Sequence, residues 1–213
     1  MHRAIPAFDR VLAIGCHADD IEIGCGGTLL ALTRERSDLH VTWVVLTADD
    51  VRAEEARASA DAFLVGTGSV DVRVLRHREC FLPYQGAEVK ESFEELKAVE
   101  PDLILTHARA DLHQDHRLAC ELTWNTFRDH LILEYEIPKY DGDLGTPNLF
   151  VSLDEAIVAD KLRLIQEHFP SQAVRHWFDD ELFRGLMRLR GIESATRYAE
   201  AFTCRKLVLR TAG

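Results

Sequence analysis

The sequence predicts an α/β fold, a mostly parallel sheet with helices on both faces, and three observations carry that prediction. Short runs of Val, Ile and Leu alternate with Ala-, Leu- and Glu-rich stretches from residue 11 to about residue 130. Several of these runs lack the in-out polar alternation of half-exposed strands, as expected where both faces are covered. The first and fourth runs end in clusters of His and Asp, where an open parallel sheet binds its ligands.

Val11-Leu12-Ala13-Ile14-Gly15, an apolar run closed by Gly, is the first strand. Residues 24–36 read as helix, with Leu29, Leu30 and Leu32 for the core, and residues 39–47, with Val41, Trp43, Val44, Val45 and Leu46, as the second strand. Residues 52–64 are rich in Ala and Glu, both good helix formers. Residues 70–75 alternate apolar with polar and give a third strand. Residues 88–99 are helical up to Glu100-Pro101, since the residue before a proline disfavours the helical region. Leu103-Ile104-Leu105-Thr106 is the fourth strand, and residues 116–130 form a further helix. Residues 131–137 read as strand, 138–148 as a Gly- and Pro-bearing loop, and 153–168 and 180–190 as helices. This strand-helix rhythm is Rossmann-like. With no internal repeat or linker, residues 1–213 are expected to form one domain, in which residues 1–130 make a core bearing both polar clusters.

Composition narrows the function. Lys and Arg number 25 against 36 Asp and Glu, a formal charge of −11, so the footprint of a nucleic-acid binder and a polybasic membrane patch are both absent. The five cysteines form no C-x-x-C pair and read as reduced thiols, hence a cytoplasmic protein. Residues 1–6 contain no apolar leader segment, and no stretch is apolar enough to span a bilayer.

The chemistry sits in Cys16-His17-Ala18-Asp19-Asp20, after the first strand, and Asp111-Leu112-His113-Gln114-Asp115-His116, after the fourth. In the common doubly wound order those two strands are neighbours, which puts both clusters in one place. Imidazole and carboxylate donors suit a borderline divalent metal such as zinc, and ferrous iron accepts the same set. A carboxylate that is not a ligand can then serve as general base. The plainer alternatives are that Asp19-Asp20 caps the next helix and that Asp115 does the same for its own.

His17-Ala18-Asp19-Asp20, followed by Gly24-Cys25-Gly26-Gly27, resembles the signature of the PIG-L or LmbE-like deacetylase family: a strand, then His-Pro-Asp-Asp, then a Gly-rich turn into a helix. The resemblance extends to Arg52-x-x-Glu55, to Pro101-Asp102, and to Asp111-x-His113-x-Asp115-His116. It implies zinc held by His17, Asp20 and His116, Asp19 as general base, and His113 stabilising the oxyanion. Asp115 would stand behind the ligands and orient a histidine. Ala18 replaces the family's usual Pro, which costs rigidity but no functional group. Gly24, Gly26 and Gly27 start too far beyond the strand for a dinucleotide turn and are expected to turn the chain tightly beside the metal.

The implied activity is removal of the N-acetyl group from an amino-sugar conjugate, a soluble glycoside or a biosynthetic intermediate, with residues 131–213 building the substrate wall. Arg52 and Arg109 are candidates for substrate contacts. Two alternatives stand beside this: an amidase for a larger acyl group, of the kind that acts on mycothiol conjugates, and a non-hydrolytic nucleotide-binding α/β protein. Homo-oligomerisation stays open.

Overall fold

The computed structural model describes residues 8–208, so the leader-free reading of residues 1–6 lies outside the described residues. Five strands run parallel: β1 (Arg10–Gly15), β2 (His40–Val45), β3 (Ser69–Val74), β4 (Leu103–His107) and β5 (Leu131–Tyr135). Two more, β6 (Leu149–Leu153) and β7 (Tyr198–Cys204), complete a seven-stranded sheet in the order β3-β2-β1-β4-β5-β7-β6. β7 is antiparallel to both β5 and β6. Six α-helices cover the sheet: α1 (Asp20–Glu35), α2 (Asp50–Phe63), α3 (Gly86–Glu95), α4 (Gln114–Thr126), α5 (Glu155–His168) and α6 (Asp180–Glu193).

Alternate residues of each central strand feed two cores. Val11, Ala13, Val41, Trp43, Leu103 and Leu105 pack beneath α1, α2 and α5. Leu12, Ile14, Val44, Ile104 and Ile132 face the other way, towards α3 and α4. This double burial is why these strands show no polar alternation. Side chains of Asp49, Asp154 and Asp179 accept the first free N–H groups of α2, α5 and α6 and fix where those helices begin.

β1 lies between β2 and β4, so the chain leaves it in opposite directions and opens a crevice beyond the carboxyl ends of β1 and β4. Asp102 ties the opposite end of these two strands, its Oδ2 accepting the N–H groups of Asp9 and Arg10 at 2.9 Å each.

Several boundaries differ from the sequence reading. α1 begins at Asp20, so Gly24, Gly26 and Gly27 are helical and make no turn. Their function is close approach: a Cβ at Gly24 would collide with the Tyr135 ring, one at Gly26 would lie 2.7 Å from Phe63, and one at Gly27 would lie 2.6 Å from Leu153. Each helical Gly costs about 1 kcal/mol relative to Ala; here that cost is offset by a tightly seated helix. β6 and β7 were not anticipated as strands, and α5 starts at Glu155, after Leu153 has ended β6.

Glu200 on β7 makes a buried polar contact with α1. Its Oε1 accepts Gly27 N–H and its Oε2 accepts Thr28 N–H, both at 2.7 Å, and Thr28 Oγ1 donates at 2.6 Å. Lys161 of α5 donates to Glu200 Oε1 at 2.7 Å and to the carbonyl of Ile23 at 2.6 Å. Among the described residues no helix is long and apolar enough to cross a membrane, and all five cysteines are free.

Candidate active site

The loop from β1 to α1 doubles back on itself. Asp20 Oδ2 accepts the backbone N–H of His17 at 2.7 Å, which draws the His17 ring over the start of the helix. The loop after β4 brings the second cluster to the same point. His113 is the N-cap of α4, its backbone N–H donating to Asp111 Oδ1 at 2.8 Å and its Nδ1 accepting the N–H of Asp115 at 3.2 Å. A backbone N–H can only donate, so in the neutral His113 ring the proton sits on Nε2. His116 follows one turn into the helix, held by a 2.9 Å contact from its Nδ1 to Asp111 Oδ2.

Three donor atoms converge as a result. His17 Nδ1 is 3.2 Å from Asp20 Oδ2 and 3.2 Å from His116 Nε2, and His116 Nε2 is 3.4 Å from Asp20 Oδ2. Ligands about 2.0–2.1 Å from one tetrahedral ion stand about 3.3 Å apart, so this set fits a single divalent metal. The ligand rings are braced from behind. Asp111 holds His116, and Asp115 Oδ2 lies 3.5 Å from His17 Nε2. Asp115 is itself fixed by the N–H groups of Cys80 and Leu82, at 2.7 and 3.2 Å. Such carboxylate–histidine pairs fix the ring orientation of metal ligands.

Burial works against the charged form of Asp20, but His116 and His17 outweigh it and hold the carboxyl well below its usual range. Burial likewise opposes charge on Asp111, yet His116 and Lys139 bring it down to about 2. Burial and the neighbouring His116 and His17 lower His113, which keeps that ring neutral and leaves its Nε2–H as a donor.

Asp19 occupies the N-cap position of α1 but makes no side-chain cap bond. Its Oδ1 pairs with Arg52 Nη2 at 2.9 Å, while its Oδ2 is buried without a partner. The capping alternative therefore fails for Asp19, and for Asp115 as well, since His113 is the cap. His17, Asp19, Asp20, His113 and His116 all line one cavity of about 480 Å³, a volume suited to a small ligand. Arg52 reaches the same cavity. Arg109 does not: it lines a separate cavity of about 380 Å³ with Glu134 and Arg205, its backbone N–H donating to Glu134.

Two participants escaped the sequence reading. Asp111 stood in the motif without a role, and His107 was left outside the fourth strand. His107 is fully buried at the end of β4, stacked on His116 with ring centres 3.8 Å apart, its Nε2 lying 3.2 Å from Asp20 Oδ2. Burial and His116 push its pKa down to about 4, and the neutral ring accepts the backbone N–H of Cys16 on Nε2 at 3.0 Å, which ties the loop after β1 to the end of β4. The signal for it was a histidine directly following an apolar strand run.

With this geometry in hand, comparison with known proteins is decisive for the family. The PIG-L model, described as GlcNAc-PI de-N-acetylase, matches residues 12–127, more than half of the chain. This chain belongs to the PIG-L family. A relative from Escherichia coli K12, named as the uncharacterized deacetylase YaiS, is 27% identical over 172 residues, 74% of this chain and 89% of its own length. The N,N'-diacetylchitobiose deacetylase of Pyrococcus horikoshii, solved with an inhibitor, superposes with a TM-score of 0.73 at 22% identity, covering 92% of this chain and 83% of its own. GalB, the 4-carboxy-2-hydroxymuconate hydratase of Pseudomonas putida KT2440, superposes with a TM-score of 0.78 at 15% identity, covering 96% and 99%. The last two likenesses show the fold alone, and the hydratase illustrates that one fold hosts several chemistries. Membership of the PIG-L family makes this chain a hydrolytic N-deacetylase.

Proposed function

We propose that this deacetylase removes the N-acetyl group from an N-acetylglucosamine-type sugar in a small glycoside or biosynthetic intermediate, using a divalent ion, zinc, held by His17, Asp20 and His116. One observation carries the reading: the three donor atoms lie within 3.4 Å of one another on a cavity whose wall also bears Asp19 and His113. The ion would supply Lewis acidity at the amide carbonyl and lower the pKa of water towards about 7. Asp19, through its unpartnered Oδ2, takes the proton from the attacking water. His113 donates its Nε2–H to the carbonyl oxygen as that atom gains negative charge. When the C–N bond breaks, the proton passes to the departing amine, giving acetate and a free amino sugar. Asp111 and Asp115 hold the two histidines in place throughout.

The test is elemental analysis of zinc-reconstituted protein beside His116→Ala, followed by acetate release from N-acetylglucosamine and N,N'-diacetylchitobiose and an N-acyl chain-length series. About one ion per chain, lost in the variant, is expected, with the acetyl compound cleaved fastest. Protein that takes up no metal, or that prefers long acyl chains, overturns the reading.

A further inference from the structure

The sequence reading places Arg52 among the residues that grip substrate, but the structure commits its guanidinium elsewhere. Nη2 pairs with Asp19 Oδ1 at 2.9 Å, and Nη1 donates to Glu55 Oε2 at 2.9 Å and to Ser171 Oγ at 3.3 Å. The Cζ atom stands 5.2 Å from the centre of the Phe169 ring, and the side chain is 14% exposed. Glu55 closes the network by accepting the N–H of Ser171 at 2.9 Å and its Oγ–H at 2.7 Å. The start of α1, the first turns of α2 and the turn after α5 are thereby joined at one cation.

The state of Asp19 gives this network a purpose. An aspartate at a helix N-cap ordinarily turns its side chain back to accept an N–H of the first turn, which stabilises the helix by about 1 kcal/mol. Asp19 holds the N-cap position with φ −111° and ψ −3°, unlike the extended Asp49, Asp154 and Asp179, and its side chain makes no cap bond. One oxygen is engaged by Arg52, and the other is buried, unpartnered, on the carboxylate that lines the cavity beside His17 and His116. A carboxylate with an unpartnered oxygen next to converging ligands is placed for proton transfer, whereas a capping carboxylate is not. We infer that Arg52 is a positioning residue, which grips one oxygen of Asp19 and thereby fixes the other towards the reacting water. Glu55 and Ser171 aim the guanidinium in turn. The inference rests on the reading of Asp19 as general base.

The test uses the full-length zinc-loaded protein with Arg52→Ala, Arg52→Lys and Asp19→Asn. A crystal structure of Arg52→Ala needs no substrate and is the first arm. With the guanidinium gone, the Asp19 side chain is expected to leave its present rotamer, so that its carboxylate no longer holds its place on the cavity wall. The second arm is kinetics on N,N'-diacetylchitobiose. The expected loss in kcat is about 100-fold, the size associated with a misplaced reacting group. KM should stay within about threefold, because a positioning role leaves ground-state binding intact. Zinc content should be unchanged, free guanidinium should restore part of the rate of Arg52→Ala, and Arg52→Lys should fall between the two.

An Asp19 that keeps its orientation without Arg52 overturns the inference. So does a variant whose KM rises while kcat holds, which would return Arg52 to substrate binding. If Arg52→Ala does not fold, Arg52→Lys carries both arms, since it keeps the charge and loses the forked contacts to Asp19 and Glu55. Asp19→Asn separates the two readings. Full turnover in that variant removes the base assignment itself, whereas an inert Asp19→Asn beside a fully active Arg52→Ala removes only the positioning role.

Discussion

Two buried ionic clusters touch α1, and they are built on opposite principles. At Glu200 and Lys161 the contacts close: both Glu200 oxygens accept helix N–H groups, Thr28 adds its hydroxyl, and Lys161 bridges Glu200 to the carbonyl of Ile23. At the start of the same helix the contacts stay open. His17, Asp20 and His116 turn donor atoms towards one another, and Asp19 Oδ2 has no hydrogen-bond partner. Burial of an unpaired polar group costs free energy, so a fold tolerates it where a ligand or a reaction will use the group. A closed ionic cluster holds a fold together, whereas an open one lining a cavity marks where chemistry takes place.

The largest effect should come from breaking the closed cluster. Glu200→Ala strands a buried Lys161 and is expected to cost about 3–5 kcal/mol in urea unfolding. Adding Lys161→Met should bring stability back towards wild type, because removing both charges avoids the uncompensated one. If Glu200→Ala instead left stability intact and abolished activity, the division into closed and open clusters would be wrong.

A smaller effect should come from loosening a brace of the open cluster. Asp111→Asn keeps the shape but weakens the hold on His116, and zinc affinity by equilibrium dialysis should fall about 10- to 100-fold. Its unfolding free energy without metal should change by less than that of Glu200→Ala. Equal losses in both variants would make Asp111 another structural anchor.

Smallest is Asp102, at the far end of the sheet from the site. Asp102→Ala removes the acceptor for the N–H groups of Asp9 and Arg10, where β1 begins, and should cost about 1 kcal/mol. The N–H groups of Asp9 and Arg10 favour the charged form and, against some desolvation, hold the Asp102 carboxyl below its ordinary range. A lowered folded-state value gives stability that is present above the unfolded value and is lost as pH falls through the folded one. The gap between wild type and variant should therefore be full above about pH 5 and shrink as pH falls from about 4 through the lower folded-state value. A gap independent of pH would mean that the charge plays no part.

The sequence made the open cluster more legible than the closed one. His17, Asp19, Asp20, His113 and His116 stand in two short segments directly after apolar runs, so position along the chain and chemical type agree. Glu200 sits in Tyr-Ala-Glu-Ala-Phe, where a buried carboxylate interrupts the apolar run and hides the strand. Its partners Lys161, Gly27 and Thr28 are far away in sequence, and nothing local announces them. The glycines misled for a similar reason. Three within four residues resemble a turn, and only the rings of Tyr135 and Phe63 and the side chain of Leu153 explain why a helix needs them. Arg52 was visible beside Glu55, but its distant partners Asp19 and Ser171 were not.

The bond from Gly27 to Glu200 spans 173 residues of chain. Contacts of such separation form late, because the loop between them must close first. On the ribosome, α1 emerges long before β7, at roughly 5–20 residues per second. Until β7 is made, the helix that begins at Asp20 thus waits without its acceptor for Gly27 and Thr28, and with a glycine-rich face still unmatched. Its final seating waits for β7, so the helix that carries Asp20 is locked against the sheet only after a segment 173 residues further along the chain has been made.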